Sequence, residues 1–491
     1  MKLRHWQSQC IKTAIDKYLQ HKHFLVLATP GAGKTFMASH LAKLLKDQNK
    51  IDLVLCFSPS SIVAHDFSEA LEAQFGGLFD GTLGAMGNTY TYQSLITMDE
   101  KIWQLFERYR IFTIYDEVHH CAGSSIKDAN SWGESIISKL RDKSTYTLSL
   151  TGTPWRSDSL PIALAEYCYT SGYIQCDYVY GLKEAINDKV CRIPQVIALD
   201  NDQINVVEGN ETQYFNCFSD LLAQSVIPYS QIVSNDKVIE QLLHRADTKL
   251  DELRKKNTSA AGLIIASSIS HANNIQRQLK ETIGENALVI TSDQEDAKDL
   301  ITKFRNSQTK WVVSVGMISE GTNIPRLQVC CYLTNVKTEM YFRQVLGRIL
   351  RRTEQPNQEA FLYMPASPKL VEYAHRVAQN IPDELSKVRI EPMDEEITIQ
   401  DLNEIEVLSL TENNEEVKIT IPDIEFSVPE VTGPADEIGI FQDQLLIEPY
   451  PSVMNFFGKF NHNNLIIDGF DSVTISEKAM DNLKKYSTEA F

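Results

Sequence analysis

One short segment of the sequence has the residue types needed to hold a phosphate group. It reads Ala28-Thr29-Pro30-Gly31-Ala32-Gly33-Lys34-Thr35 and continues the apolar run 24–28. Glycines let consecutive backbone N–H groups converge on phosphate oxygens, and a lysine adds a point charge beside the positive end of the following helix. The general pattern has glycine where Ala28 stands, but the closely spaced Gly-x-Gly-Lys-Thr core is present. We therefore predict a phosphate-binding loop, in which Thr35 holds Mg²⁺ through its hydroxyl group.

Two adjacent carboxylates, Asp116 and Glu117, lie directly after another apolar run, 111–115. A carboxylate at a strand end beside a phosphate-binding loop can hold the hydration shell of Mg²⁺, and its neighbour can orient or deprotonate an attacking water. We assign Asp116 to the metal and Glu117 to the water. Together with Lys34, these two residues predict phosphoryl transfer.

The elements that position these residues follow from short apolar runs separated by helix-length sequence. Such alternation predicts a parallel sheet covered on both faces, with ligands outside the carboxyl ends of the strands. The first series of predicted strands is 24–28, 53–57, 111–115 and 146–150, and the second is 262–266, 287–290, 311–315 and 329–333. We also predict helices over 9–20, from about Lys34, and over 236–256. The sequence therefore predicts an α/β protein with two tandem parallel-sheet units.

The remaining sequence divides the chain further. Residues 157–245 are Tyr-rich and irregular before the charged helical stretch, and the composition changes again near Pro382. We predict a first unit over 1–160, a connecting region over 161–245, a second unit over 246–381 and a C-terminal domain over 382–491. Apolar residues alternate with polar ones over 417–428, which predicts half-buried strands in that last domain.

Charge is concentrated at the C-terminal end. The formal charge is −18, from 65 acidic and 47 basic residues. Residues 1–156 carry 17 basic and 15 acidic residues, 157–381 carry 23 and 26, and 382–491 carry 7 and 24. The three nets are +2, −3 and −17, so the overall charge does not oppose binding of nucleic acid by the first 381 residues.

The composition also restricts the class of protein. A hydrophobic fraction of 43% and a charged fraction of 23% exclude disorder throughout the chain. The nine cysteines include no C-x-x-C pair, which favours a reducing compartment over a disulfide framework or a zinc ribbon. The N-terminus lacks the apolar core of a signal peptide, and no stretch has the 18 or so apolar residues of a membrane span. We expect a cytoplasmic protein with no membrane partner.

Several segments occur in an order that resembles the superfamily 2 helicases and translocases of the D-E-x-H type, and the resemblance covers roughly residues 3–381. Besides the phosphate-binding loop and Asp116-Glu117-Val118-His119, they are Leu3-Arg4-His5-Trp6-Gln7, Thr151-Gly152-Thr153-Pro154-Trp155-Arg156, Glu320-Gly321-Thr322-Asn323-Ile324-Pro325 and Gln344-Val345-Leu346-Gly347-Arg348-Ile349-Leu350-Arg351. The resemblance implies two RecA-like units that share one ATP and one Mg²⁺.

It also implies a role for individual residues. Gln7 would read the adenine edge, since a side-chain amide both donates and accepts hydrogen bonds. Thr151 and Thr153 would link the nucleotide state to the nucleic-acid track. The segment with Gly321 and Asn323 would lie at the nucleotide, although the family often has Asp where Asn323 stands, and asparagine can still bond a ribose hydroxyl.

The segment 344–351, in the second unit, would complete the active site. Arg348 and Arg351 are one helical turn apart and can face the same side, while Gln344 belongs with the coupling residues. The two arginines could reach the γ-phosphate only when the cleft closes. An arginine finger contributes about 10³–10⁵ in rate, so hydrolysis would be coupled to closure of the two units.

Nucleic-acid contacts are predicted by resemblance alone. The segments are Pro59-Ser60-Ser61, Thr91-Tyr92-Gln93-Ser94 and the stretch from Ser267 to His271, which are short, polar and close to strand ends. Backbone N–H and hydroxyl groups there can bind phosphates without a strongly basic surface. The start, the D-E-x-H box and 151–156 look more like XPB, UvsW, RadD-like and restriction-enzyme motors than like DEAD-box RNA helicases, which favours DNA.

These features predict an ATP-dependent DNA helicase or translocase in repair, recombination or defence against foreign DNA. The alternatives are an RNA helicase, a duplex translocase that never separates strands, and a nucleic-acid-binding or partner-binding scaffold whose ATPase activity has decayed. The acidic C-terminal domain could attract a basic partner protein, cover the track as a nucleic-acid mimic, or serve only as a solubilising domain.

Overall fold

The computed structural model describes residues 2–123, 129–154, 160–168, 174–208, 211–224, 227–291, 294, 297–316, 324–353, 359–380, 387–393 and 397–400. Two parallel sheets organise these residues, and we call each sheet with its helices a lobe. Among the described residues, no helix is long and apolar enough to cross a membrane.

The first lobe is built on a six-stranded sheet in the order β3-β2-β4-β5-β1-β8, in which every neighbouring pair is parallel. Its central strands are apolar and almost wholly buried, as is expected of a sheet covered on both faces. Strands β6 and β7 form a separate antiparallel pair. The strands are β1 His23–Ala28, β2 Leu53–Ser58, β3 Gly87–Thr91, β4 Ile111–Tyr115, β5 Tyr146–Thr151, β6 Glu166–Tyr167, β7 Ile174–Gln175 and β8 Tyr178–Tyr180.

Helices connect the parallel strands of this lobe. Helix α2 begins directly after the predicted phosphate-binding loop, and α3 begins after β2 with Ser60 as its N-cap. The helices are α1 His5–Lys17, α2 Lys34–Asp47, α3 Ser61–Phe75, α4 Ser94–Thr97, α5 Glu100–Arg108, α6 Ser131–Ser135 and α7 Leu182–Asn187.

The second lobe is built on a seven-stranded sheet in the order β13-β14-β12-β15-β16-β9-β17, again parallel throughout. A smaller sheet has the order β11-β10-β18. The strands are β9 Ile193–Asp200, β10 Ile204–Glu208, β11 Glu211–Phe215, β12 Ala261–Ala266, β13 Ala287–Thr291, β14 Trp311–Val315, β15 Leu327–Leu333, β16 Glu359–Pro365, β17 Lys387–Pro392 and β18 Ile397–Gln400.

The long amphipathic helix α10 packs against the second sheet with one apolar face, and α13 crosses from the end of β15 towards β16. The helices of this lobe are α8 Phe218–Gln224, α9 Tyr229–Ser234, α10 Asp236–Arg254, α11 Ile269–Gln278, α12 Ala297–Asn306, α13 Glu339–Ile349 and α14 Pro368–Gln379. One cluster of buried apolar side chains includes residues of both lobes, such as Val26 and Val312.

The predicted fold class is confirmed, because two parallel-sheet α/β lobes are present and all eight predicted strands occur. The predicted helices over 9–20, from Lys34 and over 236–256 correspond to α1, α2 and α10. Five strands of the two large sheets were not predicted: β3, β8, β9, β16 and β17. The strands predicted over 417–428 lie outside the described residues.

The connecting region contributes to both lobes. Its strand β8 pairs with β1 of the first sheet, and its strand β9 pairs with β16 and β17 of the second. Strand β17 lies beyond Pro382, so the described start of the predicted C-terminal domain is part of the second sheet. The domain boundaries at 160, 245 and 381 stay predictions.

Candidate active site

The loop between β1 and α2 has the backbone of an anion cradle. Gly31 and Gly33 have φ of 83° and 93°, in the left-handed region that favours glycine. This turn brings α2 to its start at Lys34, with Thr35 as the second helical residue. Free N–H groups at the start of a 14-residue helix, next to a lysine, are a donor set that fits a phosphate chain.

The N-terminal segment holds this loop from one side. The Arg4 guanidinium donates from Nη1 to the Ala32 carbonyl at 2.6 Å, and the Gln7 amide donates from Nε2 to the Gly33 carbonyl at 3.0 Å. Oε1 of Gln7 also accepts the backbone N–H of Arg4 at 2.8 Å. The buried Gln7 therefore lies against the phosphate-binding loop, and its contact with adenine stays a prediction.

Three segments meet around Glu117. Nζ of Lys34 donates to Oε1 of Glu117 at 2.9 Å, and the backbone N–H of Gly152 donates to Oε2 at 3.0 Å. Lys34 also donates to the Ala28 carbonyl at 3.3 Å. Glu117 has φ 48° and ψ 52°, a conformation that costs energy in a residue with a side chain and is most frequent at functional sites.

The electrostatics of this site favour ionised Glu117. Burial opposes ionisation, but the charges of Lys34 and His119 and the hydrogen bonds from Lys34 and Gly152 hold the pKa of Glu117 well below its ordinary value. The carboxylate and the ammonium therefore form a charged pair at neutral pH. A phosphate that takes over Lys34 would remove the strongest stabilisation of this carboxylate and so raise its pKa.

A second polar group connects 116–119 to 151–153. Nδ1 of His119 lies 2.9 Å from Oγ1 of Thr151 and 3.3 Å from Oγ1 of Thr153. Oγ1 of Thr151 in turn accepts the backbone N–H of Thr153 at 3.0 Å. All three side chains are buried, so these bonds join the two segments within the core of the first lobe.

The second lobe contacts the phosphate-binding loop through α13. A Cβ atom at Gly347 would lie 2.4 Å from Cβ of Pro30, and one at Gly31 would lie 3.2 Å from Cγ of Arg351. Glycine at 347 thus permits a close approach that any larger residue would prevent. The end of α13 and Arg351 thus lie directly against the loop that carries Lys34. The prediction that Arg348 and Arg351 share one helical turn is wrong, because α13 ends at Ile349 and Arg351 instead forms a β-bridge with Cys191.

The two arginines form a cationic site on this surface. Burial, and then the charge of Arg348, lower the pKa of Arg351 to about 9, while the charge of Asp66 on α3 acts in the opposite direction. Both arginines remain charged at neutral pH. An anion between the lobes would relieve the repulsion between two neighbouring guanidinium groups.

The predicted metal residues lie next to the Lys34–Glu117 pair along the chain. Asp116 is 6% exposed, and its backbone N–H donates to the Phe57 carbonyl at 2.9 Å. Thr35 follows Lys34 at the start of α2. A hydroxyl and a carboxylate are the oxygen ligands that Mg²⁺ prefers, so these residues fit the predicted role, which stays a prediction.

Most of the residues predicted to contact nucleic acid lie at the carboxyl ends of β-strands. Pro59 and Ser60 follow β2, Thr91 ends β3, and the stretch from Ser267 follows β12. Residues 268–270 are exposed.

Two residues predicted to bind nucleic acid or to couple it to the nucleotide, Tyr92 and Gln344, are buried. Tyr92 is 0% exposed and donates from its hydroxyl to the Asp116 carbonyl at 2.7 Å, so that hydroxyl is already bonded within the core, and a role for Tyr92 in binding or coupling stays a prediction. Gln344 is buried within α13, which likewise leaves it a coupling role. Gly321 and Asn323 lie outside the described residues.

Sequence reasoning missed several residues that complete this site. Arg4 bonds the phosphate-binding loop, and Gly152 bonds Glu117. His119 joins the segments 116–119 and 151–153, and Gly347 allows the close approach of α13. The spacing of three between Arg4 and Gln7 was an available signal, because such residues share one face of a helix turn. The contacts at Gly152 and Gly347 depend on tertiary structure and had no signal.

Comparison with known families matches two regions of the chain. The family described as type III restriction enzyme, res subunit, matches residues 1–156. The family described as helicase conserved C-terminal domain matches residues 240–353. The first match contains the phosphate-binding loop and the second contains Arg348 and Arg351.

Two relatives illustrate the similarity in sequence. An uncharacterized protein of Mycobacterium tuberculosis is 30% identical over 390 residues, which cover 76% of this chain and 62% of that protein. The DNA 3'-5' translocase XPB2 of Sulfurisphaera tokodaii is 23% identical over 381 residues, which cover 72% of this chain and 80% of the translocase. The chain thus spans less than two thirds of the length of the mycobacterial relative.

Two solved structures share the fold. A fragment described as an HsdR subunit of a type I restriction enzyme from Vibrio vulnificus has a TM-score of 0.55 at 15% identity and covers 81% of this chain and 68% of its own. The ATP-dependent type ISP restriction-modification enzyme LlaBIII, bound to DNA, has a TM-score of 0.51 at 15% identity and covers 82% of this chain and 32% of its own.

Proposed function

This chain belongs to the superfamily 2 helicase-like proteins, and on that premise we propose that it is an ATP-dependent motor that moves along DNA or unwinds it. The observation that carries the proposal is the approach of α13 to the phosphate-binding loop, where a Cβ atom at Gly347 would lie 2.4 Å from Cβ of Pro30. In the proposal, Lys34 and Glu117 of one lobe and the two arginines of the other act on the same bound ATP.

In this proposal each group has one task. Lys34 and the N–H groups at the start of α2 bind the phosphate chain of ATP, and Gly152 holds the Glu117 carboxylate while Lys34 is drawn to the phosphates. Glu117 then orients the attacking water and accepts its proton. Arg348 and Arg351 stabilise the charge that develops on the transferred phosphoryl group.

Thr35 and Asp116 are the residues that would hold Mg²⁺. The ion, when bound, supplies positive charge that neutralises the phosphate oxygens. Tyr92 positions Asp116, since the tyrosine hydroxyl bonds the Asp116 carbonyl from within the buried core.

Motion follows from the division of the site between two lobes. Bound ATP favours the closed arrangement because both lobes contact it, and hydrolysis removes that preference. The loops predicted to contact nucleic acid, 59–61, 91–94 and 267–271, are called the strand-facing loops. The buried network of His119, Thr151 and Thr153 offers a route towards them from the carboxylates. Each lobe that grips a nucleic-acid backbone would therefore advance by one step in each cycle.

DNA is the proposed track because the relative XPB2 is named a DNA translocase and the similar structure of LlaBIII is described as bound to DNA. Repair, recombination or defence against foreign DNA are the corresponding proposed processes. We further propose that the acidic region beyond Pro382 binds a basic partner protein, since residues 382–491 carry 24 acidic and 7 basic residues.

The test is an ATPase titration of the full chain against single-stranded DNA, duplex DNA, forked DNA and RNA, together with strand-displacement assays on matched substrates. We expect DNA to stimulate hydrolysis and Lys34→Ala to abolish it. Stimulation and unwinding only with RNA would replace the DNA assignment with an RNA helicase. Equal, slow hydrolysis by wild type and Lys34→Ala at saturating nucleic acid would replace the motor with a scaffold.

A further inference from the structure

A short link between the lobes, Cys191 and Arg192, contains a buried cation that the mechanism above does not use. The link lies between α7 of the first lobe and β9 of the second. The Arg192 side chain is 0% exposed, which is rare for arginine because burial of a charge is costly. Such a residue needs compensating bonds, and the partners of these bonds indicate its task.

The guanidinium binds three carbonyl oxygens at the nucleotide side of the second lobe. Nη1 donates to Leu327 at 2.6 Å and to Ile349 at 3.0 Å, and Nη2 donates to Pro325 at 3.2 Å. Ile349 is the last residue of α13, and Pro325 ends the segment 320–325 that resembles a family motif. One side chain therefore joins the end of α13 to Pro325 and to the first residue of β15.

The backbone of the link extends these contacts to the first lobe. The N–H of Arg192 donates to the Leu350 carbonyl at 2.7 Å, and Cys191 forms a β-bridge with Arg351. The Cys191 thiol donates to the Pro30 carbonyl at 3.7 Å. Cys191 therefore contacts the phosphate-binding loop and Arg351, and Arg192 contacts the end of α13.

The chemistry suits arginine specifically. Burial, followed by the charge of Arg352, lowers the pKa of Arg192 to about 10, so the side chain stays charged at neutral pH. Among the described residues, its hydrogen bonds go to backbone carbonyls and not to a carboxylate. A planar fork can serve several carbonyls at once, and a cation at a helix C-terminus is favoured by the helix dipole.

We propose that Arg192 is a positioning residue of the ATPase, which holds the end of α13 so that Arg348 and Arg351 face the phosphate-binding loop. This inference rests on the proposed function. Arg192 acts through other residues and does not itself touch the nucleotide. Its loss would therefore lower the rate of the chemical step more than the affinity for ATP.

The test compares Arg192→Lys with wild type in DNA-saturated ATP hydrolysis. Lysine keeps the charge but loses the fork, so we expect kcat to fall about 10-fold or more while KM for ATP stays within about 3-fold. Binding of ADP·BeF3, measured by calorimetry, should be affected as little as KM. Arg192→Met, which also removes the charge, should lower kcat further or fail to fold, and the lysine variant keeps the test valid in the second case.

The matched control is Arg254→Lys. Arg254 also donates to two backbone carbonyls of the second lobe, Ala260 and Gln308, which belong to none of the cleft segments. Unchanged kcat in Arg192→Lys would overturn the inference, as would equal losses of kcat in both lysine variants that follow their melting temperatures. A wild-type protein that hydrolyses no ATP would overturn the proposed function and this inference with it.

Discussion

The ATP-side cleft and the strand-facing loops use polar residues in opposite ways. In the cleft, hydrogen bonds join residues far apart in sequence: Lys34 and Glu117 are separated by 83 positions, and Gly152 and Glu117 by 35. In the strand-facing loops, apart from the buried Tyr92, the side-chain bonds are local, as between Ser60 and Val63 or between Thr91 and Ser94, each three positions apart. Both regions lie next to carboxyl ends of parallel strands.

The difference shows which region has its geometry set by the tertiary structure. Cleft residues from several segments support one another, so a change in one is expected to disturb the others. Loop residues satisfy their own turn and leave exposed groups such as Ser270 for a partner. We therefore expect large effects on hydrolysis from cleft variants and small effects on binding from single loop variants.

The largest effect should come from Arg351→Ala. Removal of a cation that stabilises the transferred phosphoryl group should lower DNA-saturated kcat by about 10³-fold, with little change in DNA affinity. The control is Arg352→Ala at the adjacent residue, which donates to the Lys189 carbonyl outside the cleft. A loss below about 10-fold in Arg351→Ala, or a similar loss in both variants, would contradict the role of the cleft.

A smaller effect should come from Gly347→Ala. The added Cβ would meet Pro30, a rigid side chain, so α13 and the loop must separate slightly. A misplacement of about 1 Å costs up to about 10²-fold in rate, and we expect kcat to fall by about 10–100-fold. Gly77→Ala serves as the control, because its Cβ would meet only the flexible Met86 at 3.4 Å. Wild-type kcat in Gly347→Ala would show that closure of the two lobes does not limit hydrolysis.

A modest effect should come from Ser270→Glu in the strand-facing stretch. One negative charge near a phosphate costs about 1 kcal/mol in water, which corresponds to about a fivefold loss of DNA affinity, and the loss should grow at low salt. Hydrolysis without DNA should not change. Thr248→Glu, at an exposed position of α10, is the control, and equal affinities in the two variants would remove 267–271 from the track.

The pH dependence should show no effect of Glu117 titration in the free protein. The folded-state pKa of Glu117 lies below its ordinary 4.5, so its contribution to stability is fully present above that value and is lost as the pH falls through the lowered pKa. We expect kcat/KM to have no acidic limb from this group between about pH 5 and 8. An acidic limb near pH 6 that moves in Glu117→Asp would contradict the ion pair with Lys34.

The sequence predicted the parts of the molecule that depend on local pattern. The runs 24–28 and 311–315 are continuously apolar because both faces of a parallel sheet are buried, so their assignment needed no tertiary information. Strand β3, Gly-Asn-Thr-Tyr-Thr, has no such run and is a strand because β2 pairs with it along one edge. Strand β8 has only three residues and likewise depends on its neighbour β1.

The site was predictable to a similar degree. Lys34, Asp116 and Glu117 follow from residue type and position after a strand, whereas the partners of these residues do not. The contact of Gly152 with Glu117 and the burial of Tyr92 arise only when β4 and β5 lie side by side and the core closes beneath Asp116. Tyr92 illustrates this limit, because its position near a strand end does not reveal that its hydroxyl bonds the Asp116 carbonyl within the core.

The most direct test of the shared active site is a structure of the full chain with forked DNA, Mg²⁺ and ADP·AlF4⁻. The account predicts that Arg348 and Arg351 of one lobe and Lys34 of the other all hydrogen-bond to the same phosphate mimic, at about 2.7–3.2 Å. If both arginines lie more than about 8 Å from that group while Lys34 binds it, beyond hydrogen-bond reach, the two lobes do not share one ATP and the proposed motor is wrong.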